Sequence, residues 1–188
     1  MTKIIIAISG KRKSGKDYCS NIIREAFEKK DVSVTTIGIS HSLKNKYAKI
    51  HGLDFEELLT DGPYKERYRK DMIRWGEEAR SKDSGVFCRY AIDSVAESDI
   101  VIVSDCRRRT DYEYFKSDFT TLTIRIETSE ENRKQRGFRF VEGVDDAESE
   151  CGLDDYNYDF VLRNLTGESL TSQVNQIVET TLSFINKL

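Results

Sequence analysis

The sequence is poor in the residues that bend a chain, cross-link it or bind metals. It holds one proline, Pro63, and two histidines among 188 residues, and its four cysteines stand far apart with no Cys-x-x-Cys pair. Zinc sites and disulfide frameworks need closely spaced ligands or paired thiols, so we expect neither, and we expect reduced cysteines that pack in the interior. The absence of a proline-rich linker, a repeat or a low-complexity tract predicts a single domain over residues 1–188.

Long apolar runs and an excess of basic residues are also missing. No stretch of about 18 consecutive apolar residues occurs, so we expect no membrane span, and the early run at residues 4–8 is too short for a secretory signal. The net charge of −3 and the pI near 5.6 argue against general nucleic-acid binding, because the DNA backbone selects proteins with a strongly basic face. These absences favour a soluble α/β protein of the cell interior that binds neither nucleic acid nor membrane.

The most informative stretch follows the first apolar run. Gly10, Gly15 and Lys16 form a G-x-x-x-x-G-K pattern between an expected strand at residues 4–8 and a helical pattern. This context is typical of a phosphate-binding P-loop, in which glycines let backbone N–H groups point at phosphate oxygens and the lysine supplies a cation. Asp17 stands where the usual motif has a Ser or Thr that binds magnesium, which argues against an ordinary GTPase or ATPase motor. The alternative is a chance glycine-rich turn.

Apolar strand patterns alternate with helical patterns along the rest of the chain. Such alternation predicts a parallel sheet of about five strands with helices on both faces, a three-layer α/β fold. We expect strands at residues 4–8, 32–39, 100–103, 122–127 and 158–162, and helices at residues 18–30, 41–51, 55–59, 64–82, 88–96, 129–136 and 169–188.

A second candidate site element follows the buried strand at residues 100–103. This strand ends close to Asp105, as in a Walker-B strand, and Arg107 and Arg108 come directly after it. In open α/β sheets the ligand lies beyond the carboxyl ends of the strands, so these side chains are expected to face the same pocket as the P-loop. The alternative for Asp105 is a cap of the following helix.

The glycine-rich, acidic stretch at residues 137–155 shows little apolar periodicity. We expect it to be a surface loop and a candidate mobile lid that includes about residues 133–155. Six acids beside a triphosphate would be costly, so most of them are expected to be solvated or paired with nearby arginines. These are Asp145, Asp146, Glu148, Glu150, Asp154 and Asp155.

The remaining cations indicate phosphoryl transfer. Its transition state carries charge on the transferred oxygens, so catalysis depends on positioning and on stabilisation by lysines, arginines and magnesium. If the acceptor is a phosphate monoester, its second pKa near 6 makes it a dianion that needs no general base. The alternative for the cations in the helix at residues 64–82 is simple pairing with acids on a solvated face.

Four segments together resemble the animal-type phosphomevalonate kinase family. They are the P-loop at residues 9–17, the helix at 64–78 with its run RKDMIRWGEE, the turn at 103–108 and the run GVDDAESECGLD at 143–154. The resemblance implies a P-loop, nucleoside-monophosphate-kinase-like fold. It also implies transfer of the γ-phosphoryl group of ATP, with Mg²⁺, to (R)-5-phosphomevalonate in isoprenoid and sterol biosynthesis. In this family an Asp at the position of Asp17 is usual.

The resemblance also implies roles for individual residues. Lys16, Arg107 and Arg108 correspond to catalytic positions. Positions that bind ATP correspond to Gly10, Lys11, Arg12, Lys13, Ser14, Gly15, Lys16, Asp17 and Arg136. Positions that bind phosphomevalonate correspond to Lys65, Arg69, Arg80, Arg89, Arg107, Arg108 and Asn164. The chain departs from the vertebrate pattern at Leu165, where a His is usual, so no nucleotide contact is expected there. The ligands of magnesium stay open, with Asp17 and Asp105 as candidates.

Two alternatives and two expectations complete the prediction. A kinase of nucleoside monophosphates or of another small phosphorylated metabolite would use the same motifs, and a P-loop regulator that signals by conformation would need fewer cations. We expect a monomer in the cytosol. Asn186-Lys187-Leu188 resembles a peroxisomal tripeptide, which keeps the peroxisome as an alternative, but we prefer the simpler interpretation that a helix ends there.

Overall fold

A computed structural model of the chain describes residues 4–60 and 62–185. The tripeptide at residues 186–188 therefore lies outside the described residues. The described chain divides into two compact units, one formed by the residues up to Thr36 and from Ala96 onwards, the other by Ile37–Val95. The described helices include none that is both long and apolar enough to span a membrane.

The first unit is built on a parallel sheet of five strands. The strands are β1 (Ile4–Ser9), β2 (Val34–Ile37), β3 (Ile100–Val103), β4 (Thr120–Glu127) and β5 (Phe160–Arg163), in the order β2-β3-β1-β4-β5. Ile4 of the central strand pairs with Ile100 on one side and with Thr120 on the other. All residues of β1 and β3 are buried, because a central parallel strand is covered on both faces and therefore consists of a continuous apolar run.

Nine helices lie in the described part of the chain. They are α1 (Lys16–Glu28), α2 (Ile39–His51), α3 (Phe55–Leu59), α4 (Pro63–Lys82), α5 (Val86–Ile92), α6 (Arg109–Asp118), α7 (Glu130–Gln135), α8 (Glu148–Cys151) and α9 (Thr171–Ile185). The predicted five-stranded parallel sheet flanked by helices is confirmed. The helix predicted at residues 88–96 begins earlier, after Gly85, and ends at Ile92.

The core of the first unit joins the sheet to its helices. Ile23 and Phe27 of α1 and Ile177 of α9 pack in one cluster with alternate residues of β1, including Ile4 and Ile8. The helix α6 packs on β1 and β4, with Tyr112 and Phe115 fully buried. Helices therefore cover β1 on both faces, and the P-loop begins at the carboxyl end of this strand.

The second unit is a cluster of the helices α2 to α5. Tyr47, Leu58 and Met72 form its buried centre, and Trp75 packs against them. The Tyr47 hydroxyl donates a hydrogen bond of 2.6 Å to Asp71, and burial together with this bond raises the pKa of Tyr47 to about 12. Pro63 is at the first turn of α4, where its missing N–H costs nothing.

Candidate active site

The loop between β1 and α1 has a backbone that only glycine can supply at two positions. Gly15 has φ +91°, in the left-handed region, and an added Cβ there would lie 2.3 Å from Nδ2 of Asn164. At Gly10, an added Cβ would lie 2.7 Å from the carbonyl oxygen of Ile126. The backbone at these two glycines thus approaches its neighbours too closely for any side chain. The helix α1 begins directly after the loop, so its N-terminus faces the same site.

Lys16 is the first residue of α1 and turns back onto the loop. Its Nζ donates hydrogen bonds to the carbonyl oxygens of Gly10, at 2.6 Å, and of Lys11, at 3.1 Å. Burial and, to a smaller extent, the positive charge of Arg107 lower the pKa of Lys16 to about 8. The carboxylates of Glu150, Asp17 and Asp105 oppose this shift.

The turn after β3 brings Arg107 to the P-loop. The N–H of Cys106 donates to the carbonyl oxygen of Ile8 at 2.9 Å, which continues the pairing of β3 with β1 beyond the strand. Asp111 accepts hydrogen bonds from the N–H groups of Arg107, at 2.9 Å, and Arg108, at 3.0 Å. The residue that caps α6 is Arg108, so the alternative prediction that Asp105 caps this helix is wrong, because Asp111 stabilises the turn from inside the helix.

Arg136 and Asn164 reach the other side of the P-loop. A terminal nitrogen of Arg136 and the side-chain Nδ2 of Asn164 both donate to the carbonyl oxygen of Ser14, each at 2.9 Å. Asn164 is buried and follows β5 directly, whereas Leu165 beside it is half-buried. The structure therefore places Arg136 and Asn164 against the P-loop, and their roles in ATP and acceptor binding stay predictions.

Acids of the segment at residues 137–155 form ion pairs with cations of the P-loop and of the residues after β3. Asp154 accepts from Lys11 at 2.5 Å, Asp145 from Arg12 at 2.7 Å, and Asp155 from Arg109 at 2.6 Å. Glu150 forms an ion pair with Arg107. The expected pairing of acids with nearby arginines is confirmed for these residues, and the short helix α8 was not predicted. Mobility of this segment stays a prediction.

Two further arginines belong to this network. Arg125 is buried on β4 and donates to Ser9 Oγ at 3.3 Å and to Asp154 at 2.7 Å. Arg133 donates to the carbonyl oxygen of Arg12 at 2.9 Å and lies over the ring of Phe138. The sequence signal for Arg125 is a charge within the apolar strand run LTIRIE, which the strand prediction passed over.

The predicted acceptor cations of the second unit have local partners. Arg69 donates two hydrogen bonds to Glu66 from Nε, at 2.8 and 3.0 Å, and Arg89 forms an ion pair with Asp83. Arg80 lies over the ring of Phe87, 5.1 Å from its centroid. Lys65 is on the same helix as Arg69 and Arg80. Their role in acceptor binding stays a prediction.

Few acids are available for a metal ion. Within residues 4–60 and 62–185, no group of three or more His, Cys, Asp or Glu side chains is placed to hold one. Asp17 is exposed in the first turn of α1 and Asp105 is half-buried after β3, and the charges of both act on Lys16. Magnesium commonly takes one or two carboxylates and completes its shell with phosphate oxygens and water, so Asp17 and Asp105 stay the predicted candidates.

Comparison with known proteins identifies relatives by sequence. A family model described as phosphomevalonate kinase matches residues 8–121. A Drosophila melanogaster protein named phosphomevalonate kinase is 41% identical over 172 residues, which cover 87% of this chain and 89% of that protein.

Solved structures share the fold at low sequence identity. A shikimate kinase from Acinetobacter baumannii, in complex with shikimate, matches with a TM-score of 0.51 and 13% identity, over all of this chain and 96% of its own. A Thermus thermophilus protein matches with a TM-score of 0.54 and 15% identity, over 97% and 98% of the two chains. These likenesses support a P-loop kinase fold.

Proposed function

This chain belongs to the phosphomevalonate kinase family and is a phosphotransferase, and from that premise we propose how its residues act on ATP and (R)-5-phosphomevalonate. The products are ADP and (R)-5-diphosphomevalonate. The observation that carries the proposal is the arrangement around one P-loop of Lys16, Arg107 and Arg136, which come from three separate parts of the chain.

The P-loop fits a triphosphate. The close backbone at Gly10 and Gly15 leaves room for phosphate oxygens where side chains would otherwise stand, and the N-terminus of α1 favours negative charge. In this proposal Lys11, Arg12, Lys13, Ser14 and Asp17 complete the ATP site with Arg136. The Lys16 ammonium exchanges its loop carbonyls for phosphate oxygens, which are stronger acceptors because they are charged.

The chemical step is an in-line displacement. A phosphate oxygen of phosphomevalonate attacks the γ-phosphorus, the bond from that phosphorus to the β–γ bridging oxygen breaks, and ADP leaves with the electron pair. Lys16, Arg107 and Arg108 stabilise the charge on the transferred group. The acceptor is already a dianion near pH 7, so the chain needs no general base.

Magnesium would be held by Asp17 or Asp105 together with phosphate oxygens. The ion supplies neutralisation of the charge that develops on the phosphates. Asp17 is at the position of the usual Ser or Thr ligand, and a carboxylate there is a harder and more strongly charged ligand than a hydroxyl.

Lys65, Arg69, Arg80, Arg89 and Asn164 bind phosphomevalonate, and residues 133–155 form a lid. Both compact units form one kinase domain, which acts as a monomer in the cytosol, with the peroxisome as the alternative location.

The test is ADP release from ATP and magnesium in a coupled assay with purified (R)-5-phosphomevalonate. AMP, CMP and UMP are tested separately as alternative acceptors, and a reaction without acceptor measures ATP hydrolysis. We expect rapid turnover only when phosphomevalonate is the acceptor. Turnover with a nucleotide would keep the kinase and overturn the acceptor, and slow hydrolysis that no acceptor changes would indicate a nucleotide-dependent regulator.

A further inference from the structure

Glu150 is a buried acid at the centre of the cation network. It lies on α8 within the acidic segment, and only 4% of its side chain is exposed. One carboxylate oxygen, Oε2, accepts a hydrogen bond of 3.0 Å from the backbone N–H of Arg12 in the P-loop. The other oxygen, Oε1, accepts from the guanidinium of Arg107. One carboxylate therefore connects the P-loop to the turn after β3.

This connection fixes Arg107 at both ends. Asp111 holds its backbone N–H, and Glu150 holds its guanidinium. A guanidinium is planar and its donors have fixed directions, so a partner on one edge determines where the free edges point. Because Glu150 also binds the Arg12 N–H, the direction of Arg107 is set relative to the P-loop itself.

We propose that Glu150 is a positioning residue for phosphoryl transfer, which orients Arg107 toward the group that the P-loop holds. The proposal rests on the function proposed above for Arg107. Glu150 does not touch a substrate in this scheme, and it acts through the arginine.

Electrostatics give a second reason for an acid at this position. Arg107 and Lys16 are close enough for the arginine to lower the pKa of the lysine, so the two cations repel each other. Glu150 acts on the same ammonium in the opposite direction. Its carboxylate offsets the repulsion and allows both cations to stay beside one loop. Acidic side chains are almost never fully buried unless they are paired.

The opposite role is that of a competitor. An acid on Arg107 can occupy the edge that the acceptor phosphate needs, and removal of its charge would then improve substrate binding. The two roles differ in sign: a positioning residue supports kcat, whereas a competitor raises KM for phosphomevalonate.

The experiment compares Glu150→Gln with Glu148→Gln, which makes the same change at an exposed position of the same short helix. Glu150→Gln keeps the shape of the side chain and removes its charge. We expect its kcat to fall about tenfold or more, because small misplacements of catalytic groups are costly, with KM for ATP within about threefold of wild type. Glu148→Gln should match the wild type.

A double-mutant cycle with Arg107→Ala tests whether Glu150 acts through the arginine. Once Arg107 is absent, Glu150→Gln should reduce kcat by less than about threefold, because residues that act as one unit are not additive. A loss of kcat in the double variant equal to the product of the two single-variant losses would overturn the proposal. So would a lower KM for phosphomevalonate with unchanged kcat in Glu150→Gln, since that result identifies a competitor.

Thermal unfolding and a conservative variant separate positioning from folding. Glu150→Asp keeps the charge but is one methylene shorter, so it should lose part of the kcat and keep the melting temperature. Loss of the folded state in both Glu150 variants would assign the residue a structural role and overturn the proposal. If wild type and Glu148→Gln instead turn over a nucleotide acceptor, the proposed acceptor fails, and the same cycle on that acceptor still tests Glu150.

Discussion

The cations of the P-loop region and those of α4 and α5 reach their acids in opposite ways. Lys11 pairs with Asp154 across 143 residues of sequence, whereas Arg69 pairs with Glu66 across three. Glu150, the partner of Arg107, has 4% of its side chain exposed, and Glu66 has 56%. The first region joins distant segments, and two of its acids, Asp145 and Glu150, are buried. The second pairs residues that are close in sequence and exposed.

The difference indicates what each set of ion pairs does. Exposed pairs at helical spacing contribute about 0.5 kcal/mol or less, because water screens them and the side chains lose freedom. A buried pair contributes little net stability, but removal of one partner leaves a charge that is costly to bury. The distant pairs with buried acids in the first unit therefore fix positions, whereas a local pair of the second unit can be broken at small cost.

The largest effect that this comparison predicts is at Lys16. Lys16→Met should reduce kcat more than about 100-fold, since it removes roughly 3 kcal/mol or more of transition-state stabilisation. The fold should survive, because the ammonium binds loop carbonyls and makes no buried ion pair among the contacts described above. Steady-state kinetics with phosphomevalonate and circular dichroism measure the two properties.

Lys29→Met is the matched control for this variant. Lys29 is exposed just past the other end of α1, so its kcat should equal that of the wild type. Retention of more than about a tenth of the wild-type kcat in Lys16→Met would remove Lys16 from the catalytic group, and the P-loop cations would then be as dispensable as surface ones.

A smaller effect is expected from pH. The pKa of Lys16 is about 8, so in the free protein its ammonium loses a proton and its charge as pH rises through that value. The ratio kcat/KM for ATP, which reports on the free enzyme, should fall about tenfold per pH unit above 8. Deprotonation of Lys16 would not cause this loss by unfolding the protein. Its pKa is lower in the folded state than in the unfolded chain, so its contribution to stability rises with pH between about 8 and 10.5.

Lys16→Arg provides the control for the pH profile. Its guanidinium stays charged throughout this range, so the profile should be flat above pH 8 whatever the absolute rate. An alkaline loss of the same slope in Lys16→Arg would assign the titration to another group.

The same contrast explains how much the sequence could predict. The central strand β1 is a run of apolar residues, and the P-loop follows it with both required glycines, so fold and loop were predictable from local pattern. The pairing of Glu150 with Arg107 was not, since 43 residues separate them and only the packed sheet sets their distance. Arg125 was missed for a related reason, because its partner Asp154 lies in a segment without periodicity.

The smallest predicted effect is at Arg69. If the local pair with Glu66 leaves its guanidinium available, Arg69→Ala should raise KM for phosphomevalonate about tenfold, the equivalent of roughly 1.4 kcal/mol. The free energy of unfolding should change by about 0.5 kcal/mol or less, because 40% of the Arg69 side chain is exposed.

Arg74→Ala is the control, since Arg74 pairs with Asp71 at the same three-residue spacing on the same helix and is not proposed to bind the substrate. Equal KM values for the two variants, measured beside urea unfolding of each, would make Arg69 another surface cation. A loss of stability near 2 kcal/mol in Arg69→Ala alone would show that a local pair of the second unit fixes position as the distant pairs of the first unit do.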